Sequence, residues 1–352
     1  MLGDFVVVPA APLTAFAQSI LEASGVPPLT AVLVAESLVS SNLRGVDSHG
    51  VQLLIWYTEQ IAAGNVDVHR AGHIISENGA CMVYDGDHAI GQLVSDTCCD
   101  HAVRLARDHG LGLVVARNST HFGAAAWWAQ KLARENLLGI VMCNATALVA
   151  PWQGRDKMLG TNPICMAVPG PKTFLLDMAT TTVALNRVYK AVLSGDTSIP
   201  AGWAMDADGI PTTDPQAALD GLPMPLGGYK GTGLAIMVEI LCAVLSGGAM
   251  LTNVGGIRVQ NVRMNASQMF LAVDVARFMP LEEFTARMEF IRDTIRSARP
   301  AAAFEEVMIA GDPEWRAEEK RLRDGIPVSN GIWQQLTTLA ARLGVETPSD
   351  AL

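Results

Sequence analysis

The chain has 352 residues, room for two or three domains, and half of them are hydrophobic while only 17% are charged. That balance supports a large buried core and excludes collagen, a coiled coil and a mostly disordered chain. A formal charge of −10 argues against nucleic acid as a partner, although a local basic pocket can still hold an anionic ligand.

Apolar residues at helical spacing predict helices over 13–23, 29–43 and 51–63, separated by Gly25-Val-Pro-Pro and Gly45-Val-Asp-Ser. Short strands are expected at 73–76 and 81–84, then a helix over 92–108 that stops at His109-Gly110, and a strand at 111–116. A helix over 122–135, strands at 137–143, 164–168 and 174–177, and a helix over 181–193 follow. Residues 195–227, rich in Gly, Pro and Asp, read as a long loop. Beyond it come an apolar helix over 231–245, a strand at 269–274, helices over 281–297 and 314–324, and a last helix over 330–343. The stretch 234–251 is long enough to suggest a membrane span, but it contains Glu239, Ser246 and a Gly pair and is read as a buried helix.

The N-terminus has no basic region of a signal peptide, and six cysteines without a C-x-x-C pair suit a reducing compartment. The expectation is a cytoplasmic protein with no membrane partner. The order of elements suggests a helical domain built from both chain ends (1–70 plus 300–352) around an α/β region (71–299) with room for two subdomains. Strands are too few for a doubly wound sheet, and no G-x-G-x-x-G, P-loop, H-E-x-x-H or G-x-S-x-G is present.

All seven histidines fall within residues 49–121. His49 sits in Gly45-Val-Asp-Ser-His-Gly50, where it either faces a cleft with Ser48 as a polar neighbour or lies on the surface beside a helix cap. His121 lies where a strand passes into a helix with small first-turn residues, in Arg117-Asn-Ser-Thr-His-Phe-Gly-Ala-Ala-Ala126; that is either an anion or cofactor site or a plain capped turn. Gly160-Thr-Asn-Pro163 and Asp177-Met-Ala-Thr-Thr-Thr182 can contact ribose or phosphate, or merely make turns. Gly227-Gly-Tyr-Lys-Gly-Thr-Gly233 surrounds Lys230 with glycines before a helix, as a phosphate grip or a flexible entry. Asp85, Asp87 and His88 do not have the spacing of a metal site, and no metal is expected.

Six segments, in order over nearly the whole chain, resemble the type 2 malate/L-lactate dehydrogenase family, also called L-sulfolactate dehydrogenase-like. They are Asn42-Leu-Arg-Gly-Val-Asp-Ser-His-Gly-Val51, Arg117-Asn-Ser-Thr-His-Phe-Gly123, Gly160-Thr-Asn-Pro163, Leu176-Asp-Met-Ala-Thr180, Pro211-Thr-Thr-Asp-Pro215 and Pro225-Leu-Gly-Gly-Tyr-Lys-Gly231. The resemblance implies a mixed α/β, non-Rossmann fold with a central mixed-sheet cofactor domain, NAD or NADP as cofactor, a small 2-oxo or 2-hydroxy acid as substrate, and a homodimer. It places the acid/base on His49 with Ser48 beside it, and the substrate near Thr161. Cofactor contacts fall on His121, Phe122, Gly123 and Ala124, on Asp177, Met178, Ala179 and Thr180, on Lys230 and Gly231, and near Gly311 and Asp312.

Two positions depart from the family pattern. Leu53 stands where many members carry an arginine for the substrate carboxylate, and Arg187 stands where malate and lactate members carry lysine and the imine reductases aspartate. Arg187 is therefore expected to take over the carboxylate. The alternative reaction is reduction of a cyclic imino acid C=N bond, of the piperideine-2-carboxylate type. A catalytically dead scaffold is disfavoured by the retained Ser48, His49 and Lys230.

Overall fold

A computed structural model describes residues 5–258 and 262–349. Strand β1 (Phe5–Val8) and helices α1 (Ala10–Ala23), α2 (Pro28–Leu43) and α3 (Leu53–Ala62) open the chain. Pro28 starts α2 at the position where its missing N–H costs nothing, and Val34, Ala35, Leu38 and Val39 form the buried stripe. Next come β2 (His73–Asn78), β3 (Cys81–Asp85), α4 (Gly91–His109), β4 (Leu111–Ser119), α5 (Ala125–Arg134), β5 (Leu137–Cys143), β6 (Ile164–Ala167) and β7 (Leu175–Met178). Helix α4 ends because Gly110 adopts the left-handed conformation that lets its N–H reach the Ala106 carbonyl.

After β7 the chain forms α6 (Leu185–Leu193), β8 (Ala204–Met205), β9 (Pro211–Thr212), α7 (Pro215–Asp220), β10 (Leu222–Pro223) and α8 (Tyr229–Val238). It closes with β11 (Ala266–Asp274), α9 (Leu281–Arg296), α10 (Asp312–Asp324), β12 (Ile326–Ser329) and α11 (Asn330–Leu343). Seven strands make one mixed sheet in the order β2-β3-β4-β11-β5-β6-β7. Its β3–β4 pair is parallel and the other neighbours are antiparallel. This is the mixed α/β architecture that the resemblance implied.

Helices α4 and α5 cover one face of the sheet, where Trp128, Leu132, Val114, Val141 and Phe270 share a core. Val238 of α8 and Cys242 beyond it cover the other face at Val115, Met142 and Met269. A second core joins both chain ends: β1 pairs with β12 (Val8 opposite Ile326), and α1, α2, α3 and α11 pack around them. Ile90 and Leu93 also enter that core, whereas Trp315 of α10 packs against the sheet core.

Three expectations need correction. Residues 181–184 are not helical. Thr181, Thr182 and Val183 are β-branched and favour extended backbone, and Thr182 N–H donates to the Met224 carbonyl, so α6 starts only at Leu185. The predicted loop at 195–227 holds a three-stranded sheet (β10-β8-β9) and α7, whose cap is Asp214 accepting from the Gln216 and Ala217 N–H groups. The apolar helix is buried on one side only. It continues from α8 as a π-helical turn, Glu239–Val244, and Ile236, Met237, Ile240 and Val244 face outward. No described helix is long and apolar enough to cross a membrane.

Candidate active site

A cleft of about 550 Å³ opens between the end of α2, the start of α5, strand β7 and the segment before α10. Its floor is the short turn Asp47–His49 that follows α2. Several contacts pin that turn. Asn42 Nδ2 donates to Asp47 Oδ1 (2.7 Å), the Val51 N–H donates to Asn42 Oδ1 (2.8 Å), and Arg321 of α10 grips the Asp47 carboxylate with both terminal nitrogens (2.6 and 3.0 Å). Gly50 is required here, since a Cβ would lie 2.2 Å from Asn42 Oδ1. Asp47 is thus a tether to the C-terminal helix and not a helix cap.

Ser48 and His49 line the cleft, and Ser48 Oγ lies 2.9 Å from His49 Nδ1. The imidazole therefore keeps Nε2 for a ligand. Burial holds the His49 pKa below the ordinary imidazole value. The His121 ring stacks on His49 at 5.8 Å between centroids, on the side away from the cleft. Its Nδ1 accepts from the Tyr57 hydroxyl (2.8 Å) and the Gly123 N–H (3.2 Å), and Tyr57 in turn accepts from Gln92 Nε2 (2.9 Å). That network assigns the His121 proton to Nε2.

Burial, with the nearby His49 and Arg258, depresses His121 to about 3. Two imidazolium charges at the ring separation would repel by about 3 kcal/mol at an effective dielectric of about 20. The two rings therefore do not carry charge together, and His121, the more strongly depressed, stays neutral when His49 takes up a proton.

The opposite wall is built from small residues. Gly123, Ala124, Ala125 and Ala126 line it at the N-terminus of α5. Asp177 at the end of β7 is open to the cleft and accepts from the Ala126 N–H at 2.9 Å. The surrounding protein raises its carboxyl to about 6, against the pull of that hydrogen bond and of Arg44. Thr161, Ala179 and Gly311 complete the set of expected residues that the cleft brings together.

Other expected residues stand behind the wall or away from it. Phe122 is buried, and its carbonyl accepts from the Trp128 indole N–H (2.9 Å). Thr180 braces Thr161, donating to its carbonyl from both N–H (2.9 Å) and Oγ1 (3.0 Å). Asp312 holds the segment before α10 by pairing with Arg296 and accepting from the Ile309 N–H (3.0 Å). Met178, exposed Lys230 and Gly231 do not line the cleft; a Cβ on Gly231 would lie 2.3 Å from Leu226 N, a packing reason for that glycine.

Arg187 is exposed on α6 and also outside the cleft lining, while Leu53 is buried in the helical core and does not line the cleft. Sequence reasoning missed Arg44, Tyr57 and Gln92. Arg44 lies inside a quoted segment, but nothing in the chain order reveals which of that segment's side chains turns inward. The Asp85 cluster is structural: Asp85 accepts from Arg117 Nε (2.9 Å), Asn118 Nδ2 and the Asp87 N–H.

A half-buried histidine and serine facing small-residue walls and a perturbed carboxylate define an enzyme acting on a small molecule. The chain belongs to the malate/L-lactate dehydrogenase family, whose model matches residues 8–337. It is 38% identical over 352 residues to the malate dehydrogenase of Pyrococcus horikoshii, covering 97% of each chain. The sulfolactate dehydrogenase structure from Methanocaldococcus jannaschii superposes with a TM-score of 0.91 at 34% identity, over 97% of this chain and 98% of that one. A Δ1-piperideine-2-carboxylate reductase from Pseudomonas syringae is more distant, with a TM-score of 0.83 at 26% identity over 95% and 99% of the two chains. The protein is therefore an oxidoreductase of a hydroxy-acid dehydrogenase family.

Proposed function

We propose that the chain is an NAD(P)-dependent oxidoreductase that interconverts a 2-hydroxy acid and its 2-oxo acid, with His49 as the general acid/base. The observation that carries this reading is the Ser48–His49 pair, 2.9 Å apart and facing a cleft large enough for a nucleotide and a small acid. The donor set suits a dinucleotide. Asp177 can accept from ribose hydroxyls, and the Gly123–Ala126 wall leaves room for a flat ring. When bound, the nicotinamide supplies hydride transfer at the substrate C2.

His49 does the proton work. In oxidation its Nε2 takes the hydroxyl proton while Nδ1–H donates to Ser48; in reduction the imidazolium returns that proton to the carbonyl oxygen. Neutral His121 behind it leaves the positive charge to His49. Reduction of a cyclic imino acid is the second reading, favoured only by the more distant reductase neighbour. Following NADH and NADPH absorbance with panels of 2-oxo acids and cyclic imines tests both. Turnover of imines alone would replace the first reading with the second.

The pH profile follows from the burial of His49. For hydroxy-acid oxidation, kcat/KM is expected to be level at neutral pH and to fall as pH drops below the ordinary imidazole value of about 6.5, because the base form is lost. For reduction it falls as pH rises through the same region. Asp177→Asn should leave this limb in place; if the limb vanishes, Asp177 and not His49 is the titrating group.

A homodimer is part of the proposal. Large apolar side chains clustered on one exposed face mark a contact surface, and Ile240 (48% exposed) and Val244 (54%) stand open beside Ile236 and Met237 along α8 and its extension. A second copy covering that face accounts for the pattern. Light scattering is expected to give a dimer for the wild type and a monomer for Ile240→Glu/Val244→Glu. A wild-type monomer at micromolar concentration would remove the dimer from the reading.

A further inference from the structure

The cleft contains a cation that no part of the reading above uses. Arg44 caps the C-terminus of α2, four residues before Ser48, and is 6% exposed. Among the described residues it is the only lysine or arginine that lines the cleft, and its guanidinium makes no hydrogen bond and no ion pair. The carboxylates of Asp177, Glu314 and Glu318 influence it through space without contact. A guanidinium has five donors in a rigid fork; those of Arg44 have no partner among the described residues and open to the cleft, from which a counter-charge can reach them.

Arg187, where the carboxylate grip was expected, is exposed outside the cleft, and Leu53, which replaces the family's arginine, is in the helical core. We infer that Arg44 is the ligand-binding cation of this cleft, gripping an oxyanion of the bound molecule, either the substrate carboxylate or a phosphate of the nucleotide, with two parallel N–H donors. The inference rests on the proposed oxidoreductase reading for the identity of the ligand, but not for the presence of the grip.

The surroundings restrict what the fork accepts. Asp177 and Glu314 line the same cleft, so hydroxyl donors beside an oxyanion find acceptors there as well. The grip also lies on the segment that carries the acid/base. The α2 C-terminus delivers Ser40, Ser41 and Arg44 to the cleft, and the pinned turn delivers Ser48 and His49. An oxyanion fixed by Arg44 is thereby placed relative to His49 through a short, tethered piece of backbone, and an error of about 1 Å in such positioning can cost about a hundredfold in rate.

The test uses two simple probes, ADP for phosphate and oxalate for carboxylate, titrated by calorimetry into the wild type, Arg44→Met and Arg44→Lys, with NAD(P)H turnover of 2-oxo acids measured alongside. Arg44→Met is expected to weaken one probe by on the order of 10- to 100-fold and leave the other within about twofold. Loss confined to ADP assigns the fork to the nucleotide, and loss confined to oxalate assigns it to the substrate. Arg44→Lys, which keeps charge but not the fork, is expected to fall between, and it carries the test if Arg44→Met does not fold.

Unchanged affinity for both probes in a folded Arg44 variant overturns the inference and leaves Arg44 as a charge balance for Glu314 and Glu318. So does a wild type that binds neither probe. Turnover by the wild type with probe affinity independent of Arg44 sinks the inference alone. Arg44-dependent binding without any turnover sinks the oxidoreductase reading alone.

Discussion

His49→Ala is expected to lower kcat by about 10²–10⁴ while leaving the dissociation constant of NAD(P)H within about twofold, the usual worth of a positioned acid/base. Two histidines are stacked at the site, so the choice between them is physical. His49 lines the cleft and has Nε2 free, whereas His121 sits behind it with Nδ1 taken by Tyr57 and Gly123 and with its charge suppressed by burial. Stopped-flow turnover with fluorescence titration of the cofactor separates chemistry from binding. A near-normal kcat in His49→Ala would move the proton transfer to His121.

The largest expected loss of stability is at Trp128→Ala, about 3–5 kcal/mol, as for other buried tryptophans. Trp128 is fully buried between α5 and the sheet, stacks on Phe122 at 6.5 Å, and donates its indole N–H to the Phe122 carbonyl. The substitution opens a cavity and also strips that carbonyl of its partner, one residue from His121 and next to the Gly123 wall. Trp128→Phe keeps most of the volume and loses the hydrogen bond, and should cost about 1–3 kcal/mol. Urea denaturation gives both numbers. A cost below about 1 kcal/mol for the alanine variant would mean that the tryptophan does not brace the site.

The helices and most central strands were legible in the sequence because their periodicity is a local property. The strand Leu137–Cys143 and the helix Asn330–Leu343 match their predicted bounds, since an unbroken apolar run and an amphipathic stripe leave little choice. Strand β1 was not read: Phe-Val-Val-Val is too short to declare itself, and it is a strand because β12, more than 300 residues away, offers it an edge. The small sheet at 204–223 was lost under Gly, Pro and Asp, although Asp214-Pro215 carried the capping signal of α7.

At the candidate site, composition left Ser48, His49 and Asp177 with two readings each; it was the family resemblance that pointed to all three, and they line one cleft. The division of labour between cleft wall and supporting layer was not legible. Phe122, Thr180 and Asp312 lie beside cleft residues in sequence, yet they face the protein and hold those residues in place. Adjacency along the chain does not report which side of a strand end or turn meets the ligand.

The position of β11 has a consequence for how the chain comes to be folded. It lies between β4 and β5, opposite Val114 and Val141 at Phe270, although both neighbours precede it by more than 120 residues. During synthesis β4 and β5 emerge with open edges and no direct partner in each other, and they must wait for residues 266–274 to fill the gap. Such late, distant pairing makes folding slow and leaves two apolar edges open to other chains. A ribosome stalled before residue 266 would carry a nascent chain with helices α4 and α5 formed but with no sheet centre, which makes that interval the time when the chain most needs a chaperone.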